Sequence, residues 1–327
     1  MRNGRYLAKR LLYIIFVFFI ISILMFVIYK SLPGDPVKMM MQDNVRPEAY
    51  QQQYDTIRRQ LGLDAPLPVQ YIRWMGNMLT GDFGYSTEYR RPVKEVIATP
   101  MRNTVLLNLC SMVVVFLISV PLGIVTAVKK NGIFDKAVQL ITIVGYSVPG
   151  FVIALLAIYV FAIRFPLFPI SGVKTAGFTG TGMAAFLDQA KHMVLPVLVM
   201  SVGGIGSITR YVRASMIDVL RMDYIRTARA KGLREKVVIY VHAFRNALIP
   251  IVTVTTWWLI GLFGGSIVIE SIFLWDGLGK MMISGLNQRD FAVVLAMQMF
   301  YVILSLVGNV LMDIAYTLVD PRVRLES

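Results

Sequence analysis

The residues able to do chemistry in this chain are few and far apart. Its two histidines, His192 and His242, have no Cys, His or carboxylate cluster around them at metal-ligand spacing. Ser147 and Ser266 sit in apolar text with no histidine placed to activate them. The single cysteine, Cys110, lies inside an apolar run, reads as a small hydrophobe, and leaves no disulfide possible within the chain. The text nearest a phosphate-binding loop, GLGK at 277–280, lacks the GxxxxGK(S/T) spacing and is followed by Met281. We therefore expect no catalysis, no metal and no ATP site in this chain. Asp313 stands apart, because a carboxylate inside a membrane segment is a functional candidate. It also lies close enough to the end of its apolar run to be hydrated.

What the chain has in excess is apolar length. Of its 327 residues 56% are hydrophobic and 16% charged, and mean hydropathy is +0.64. A soluble domain carries roughly 25% charge, so this composition calls for a bilayer as solvent. Six stretches free of Asp, Glu, Lys, Arg and His approach or exceed the roughly 20 residues of a membrane-crossing helix. They are Leu11–Tyr29, Thr104–Val128, Ala137–Ile163, Met193–Thr209, Asn246–Ile269 and Phe291–Met312. The expected fold is an all-α integral membrane bundle of six transmembrane helices. The third stretch is long enough to break, and Ser147, Pro149 and Gly150 mark the place, since proline removes a backbone donor. The fourth is short and glycine-rich, and is expected to continue as helix into the polar text after it.

Charge sets the expected topology. The net charge of +14 lies between the apolar runs, which reads as loops held in the cytoplasm rather than as a nucleic-acid face. Arg2, Arg5, Lys9 and Arg10 precede the first stretch, which is too long and lacks the cleavage pattern of a secretory signal. Segment 210–245 has nine Lys/Arg, whereas the short loops 164–192 and 270–290 hold five between them. Six spans then put both termini inside. The chain divides into a tail and first helix at 1–29, an external segment at 30–103, and a five-helix core at 104–327 carrying the cytoplasmic segment 210–245. The external segment holds a helix-like polar stretch near 47–61 and turn signals at Pro33-Gly34 and Gly81-Asp82.

The text from 215 to 250 is a helix, a break at Gly232, and a second helix entering the membrane. Ile217, Leu220, Tyr224 and Ala228 form one apolar stripe, with Arg221, Arg226, Arg229 and Lys231 largely off it. Such a helix fits a docking site for another protein or a helix lying on anionic lipid equally well.

The segment resembles the cytoplasmic signature of bacterial ABC importer permeases, E-A-A-x-x-x-G. Arg226, Thr227, Ala228 and Gly232 occupy its defined positions, with Arg for Glu and Thr for Ala in the first two. The usual I-x-L-P ending is replaced by text carrying His242, Phe244 and Arg245. DYIRTARAKGL and HAFRNALIP instead resemble the dipeptide/oligopeptide/nickel branch. LPGDP at 32–36, LGLD at 61–64, GDFG at 81–84, SVPGF at 147–151, ESIF at 270–273, GLG at 277–279, RDF at 289–291 and VDPR at 319–322 follow in the order of that branch. LPGDP after the first stretch and the long external loop resemble its B-type subunit.

The resemblance implies half of a pore in a binding-protein-dependent, ATP-driven importer, with peptides the commonest cargo and nickel or another small solute the alternative. Its partners would be a second homologous permease, two cytoplasmic ATPases, an external solute-binding protein and membrane lipid. ATP and Mg would be held by the ATPases and no cofactor by this chain. Asp223, Arg226, Thr227, Ala228 and Gly232 would couple to an ATPase, with His242 and Arg245 behind them. Backbone breaks and polar groups within apolar text make Tyr146, Ser147, Pro149, Trp257, Gly264, Gly265 and Ser266 the pathway candidates, with helix packing the competing role. Glu270, Trp275, Arg289 and Asp290 are candidates for an outer gate or docking surface, or are ordinary interfacial anchors. The rival functions are a self-contained channel or secondary transporter and a membrane scaffold.

Overall fold

The computed structural model describes residues 2–31, 35, 37–38, 41, 47–60 and 62–319. Most of LPGDP and VDPR, and the side chain of Asp313, lie outside those residues. The described chain is helical apart from turns, an irregular stretch at 165–182 and an isolated antiparallel bridge between Tyr85 and Pro92. The helices are α1 (Arg2–Ser31), α2 (Pro47–Gln60), α3 (Leu67–Leu79), α4 (Val93–Val128), α5 (Ile133–Ser147) and α6 (Gly150–Ile158). A π-helical turn, Tyr159–Arg164, extends α6. There follow α7 (Met183–Leu220), α8 (Asp223–Ala230) and α9 (Glu235–Val237), which runs through a π-helical segment, Val238–Ala243, into α10 (Phe244–Gly261). The chain ends in α11 (Ile267–Ile272), α12 (Leu278–Asn287) and α13 (Phe291–Val319).

Among the described residues four helices are long and apolar enough to cross a membrane: Lys9–Ser31 within α1, α4, α7, and Phe291–Met312 within α13. The α5–α6 pair adds a fifth if its halves form one broken span, bent by 95°. The bend falls between Ser147 and Gly150, as expected from the proline there. Val148 still donates to the Val144 carbonyl, and the Ser147 hydroxyl donates to the Ile143 carbonyl at 2.8 Å. The expected continuation of the fourth stretch is also present, since α7 extends through Leu220.

The expectation of one span at Asn246–Ile269 is corrected. That stretch is two helices, α10 and α11, separated at 262–266. Arg245 and Asn246 stand in the first turn of α10 and dilute its apolar character. At its other end Asn108 of α4 donates its side-chain amide to the Leu262 and Gly264 carbonyls, each at 2.9 Å. Carbonyls left open by the break thus find a partner inside the protein, the condition for non-helical backbone at membrane depth.

The chain divides into two compact units, Met1–Met101 with Met281–Val307, and Arg102–Lys280 with Gly308–Glu326. In the first, Phe26 of α1 packs on Tyr71 and Trp74 of α3, each with ring centroids 5.5 Å apart. The buried Ser22 hydroxyl meets the Tyr71 hydroxyl at 2.7 Å. Leu12, Phe16 and Leu24, by contrast, are exposed. In the second unit α7 is the central element, packed by α5, α6 and α10 and meeting α4 where the Ser111 and Ser201 hydroxyls lie 3.3 Å apart. Small residues let the helices approach closely. A Cβ on Gly206 would lie 2.9 Å from the Thr142 carbonyl oxygen, and one on Gly123 2.6 Å from Val212.

Candidate functional site

Helix α8 is short and steeply two-sided. Ile225 and Ala228 are buried against Val212 and Met216 of α7, and against Val238, Ala243 and Ala247 of the helix that follows. Asp223, Arg226 and Thr227 face outward, with Arg226 and Asp223 in a loose ion pair at 3.6 Å between highly exposed side chains. The expected apolar stripe is therefore corrected. α7 stops at Leu220 and α8 starts at Asp223, so Ile217 and Leu220 are not on the helix of Ala228, and Tyr224 is exposed. The buried pair sits at +3 spacing one residue further on. Ala228 consequently serves as an inward anchor, leaving Asp223, Arg226 and Thr227 as the presented surface.

Gly232 ends the helix with φ +75°, a left-handed conformation natural to glycine, and Leu233 N–H closes the turn on the Ala228 carbonyl at 3.4 Å. Arg229 reaches across this turn to Glu235, donating from Nη2 at 2.7 Å and Nε at 3.2 Å. This pair holds the Glu235 carboxyl below its ordinary range, chiefly through the guanidinium hydrogen bonds. His242 is half-buried in the π-helical segment, and its carbonyl accepts from the Asn246 amide at 2.7 Å; Arg245 is exposed.

The pathway candidates fall at two helix breaks. Tyr146, Ser147 and Pro149 form the α5–α6 bend, and Gly264, Gly265 and Ser266 form the α10–α11 break. The elements beyond the breaks pack together through Ala154 of α6 and Ile269 of α11. Tyr146 is exposed and lies 5.3 Å beneath the Arg210 guanidinium; Trp257 is about half exposed on α10. Ser266 caps α11, accepting from Ile269 N–H. Gly265 is pressed against Gly279, where a Cβ would lie 2.2 Å from its nitrogen.

Of the four outer candidates, three are internal. Glu270, Trp275 and Asp290 are buried, and Arg289 alone is exposed. Glu270 accepts from the Thr104 hydroxyl at 2.8 Å and from Lys280 N–H at 3.0 Å, tying α11 to α4 and α12. Trp275 donates its indole N–H to the Asn103 carbonyl. Asp290 caps α13 through Val293 N–H and accepts from the Ser86 hydroxyl and Glu88 N–H in the turn before α4. In this structure these three side chains brace turns rather than face outward.

Sequence comparison places the chain. The family described as "Binding-protein-dependent transport system inner membrane component" matches residues 119–325, and its N-terminal counterpart matches 4–108. The chain belongs to this family. It is the permease of a binding-protein-dependent ABC importer, the membrane component rather than the ATPase. The oligopeptide transport system permease protein AppB of Bacillus subtilis is 39% identical over 97% of this chain and 98% of its own length. The glutathione transport system permease protein GsiC of Escherichia coli is 36% identical over 98% of each. A chain of the MetNI methionine ABC transporter, solved in inward-facing conformations, shares the fold at TM-score 0.50 and 16% identity, covering 68% of the permease and 97% of that chain.

The permease also relies on residues that its sequence did not single out. Asp135, in the first turn of α5, receives both Nε and Nη2 of Arg213 at 2.7 Å. Asn131 N–H and the Gln139 amide each add a hydrogen bond at 2.8 Å. An acid in a first helical turn is a visible signal, but its partner stands 78 residues away. Asn108 and Thr104 were equally hidden, because a polar residue in an apolar helix does not announce which break it serves.

Proposed function

We propose that the permease forms one half of a translocation pore with a second homologous permease and imports peptides handed over by an external binding protein. Both termini lie in the cytoplasm, two ATPases carry ATP and Mg there, and α8 seats in one of them. The observation that carries this reading is the two-sided build of α8. Ile225 and Ala228 root it in the core formed by α7 and the helix leading to α10, while Asp223, Arg226 and Thr227 face outward. A push on that surface is delivered to two membrane helices as rigid-body motion, a common class of switch. The relatives support the cargo: one printed name is of an oligopeptide system and another of a glutathione system, itself a small peptide carrier by name.

The test is uptake into vesicles holding the complete transporter, with binding protein outside and ATP inside. Labelled oligopeptide, glutathione and nickel are compared. Peptide uptake requiring both ATP and binding protein is the expected result. Uptake by this chain alone without ATP would overturn the reading in favour of a channel or secondary transporter. Nickel uptake without peptide uptake would replace the cargo only.

A further inference from the structure

In the first compact unit a cavity of about 520 Å³ opens where the end of α1 meets the start of α13. Both are ends of membrane-crossing segments, Lys9–Ser31 and Phe291–Met312, and Tyr29 and Phe291 stand 6.2 Å apart across them. The cavity therefore sits where apolar helix gives way to headgroups, the level favoured by aromatic and cationic side chains. Its lining holds four cations, Lys30, Arg59, Arg73 and Arg289, and no carboxylate. Among the described residues none of the four is in an ion pair. Trp74 and Phe83 supply an aromatic wall. Gln70 also lines the cavity and donates its amide to the Ala65 carbonyl at 2.7 Å.

We propose that this cavity binds the headgroup of an anionic phospholipid whose acyl chains lie along the exposed apolar side of α1. Four cations lining one cavity, none of them in an ion pair among the described residues and with no acid in the lining, select negative charge. The volume exceeds that of a bare phosphate and suits a headgroup of phosphoglycerol size. The exposed Ile20, Leu24 and Val27 lead from the cavity down α1 as a bed for acyl chains. Basic pockets beside membrane helices hold anionic headgroups in this way. The proposal does not depend on the cargo or on the sidedness of the permease.

Native mass spectrometry of the purified transporter in neutral detergent tests it, with phosphatidylglycerol and phosphatidylcholine of equal chain length as probes. Retention of phosphatidylglycerol is expected to exceed that of phosphatidylcholine about tenfold, and to fall by roughly tenfold in Lys30→Gln/Arg73→Gln. Lys129→Gln/Lys130→Gln, in the loop between α4 and α5, is expected to leave it unchanged. For the unaltered chain the preference is expected to shrink as salt rises, a readout that stands even if the double variant fails to fold. Equal retention of the two lipids overturns the proposal, and so does a preference that salt does not touch. Displacement of phosphatidylglycerol by millimolar inorganic phosphate would mark a free-anion site and overturn it too. Loss of binding-protein docking in the double variant with unchanged lipid retention would reassign the cations to a protein partner.

Discussion

Arg213 and Asp135 form a two-pronged ion pair, with both N···O distances 2.7 Å and the carboxylate fully buried. It ties the start of α5 to α7 about two turns before α7 ends and α8 begins. Breaking one side of such a pair leaves an uncompensated charge and costs about 3–5 kcal/mol when fully enclosed. Arg213 keeps some exposure, which favours about 3 kcal/mol. Arg213→Ala is expected to lower the melting temperature of the transporter clearly, and Asp135→Asn/Arg213→Gln to recover part of the loss. A single variant as stable as the parent would remove the pair from the structural account.

Helix α8 separates anchoring from contact. Ile225→Ala removes a fully buried side chain, at a cost of about 2–4 kcal/mol locally. It is expected to loosen the helix and cut cargo-driven uptake severalfold while the ATPases still hydrolyse ATP. Thr227→Ala is expected to change stability by less than about 0.5 kcal/mol. A cysteine at Thr227 is expected to cross-link to an ATPase, and one at Ala228 to react far more slowly because it faces inward. Equal labelling of the two positions would contradict the orientation of the helix.

At Gly232 the cost of a side chain is conformational rather than steric. Its φ is +75° and the space around it is open. Gly232→Ala is expected to cost about 1 kcal/mol and Gly232→Asn less, since asparagine tolerates the left-handed region. Amide hydrogen exchange across 228–235 would order the three proteins Gly, Asn, Ala from slowest to fastest.

The same turn carries a pH dependence. Glu235 titrates below its ordinary value because Arg229 stabilises the charged form. Its contribution is therefore complete above the normal glutamate range and is lost as pH falls through the depressed value. Both side chains are about half exposed, so the pair is worth less than about 1 kcal/mol. Exchange at 229–235 is expected to accelerate in acid beyond the intrinsic chemistry for the parent, and Glu235→Gln to remove that excess.

Thr104 joins three pieces of chain. Its hydroxyl donates to Glu270 and accepts from Leu278 N–H at 2.8 Å. Thr104→Val leaves a buried carboxylate and a backbone donor each short of a partner, a loss of about 1–3 kcal/mol, whereas Thr104→Ser is expected to be close to neutral. Thermal melts of the purified complex distinguish the two.

The sequence by itself determined the membrane class, the helix break at Ser147–Gly150, the extension of α7 and the place of α8 between two basic flanks. These are local properties: apolar length, proline and glycine chemistry, and charge counted along the chain. Tertiary structure decided the rest. Whether 246–269 is one helix or two depends on Asn108, more than 150 residues away, meeting the open carbonyls. The inward face of α8 is Ile225 and Ala228 because the chain turns between Leu220 and Asp223, which resets the helical phase that a continuous reading assumed. Glu270, Trp275 and Asp290 looked like surface groups beside apolar text, and became buried braces only when distant hydroxyls and backbone N–H groups enclosed them. Periodicity records the direction of a side chain within one element, but the partner that satisfies a buried polar group comes from another element, and no local pattern encodes it.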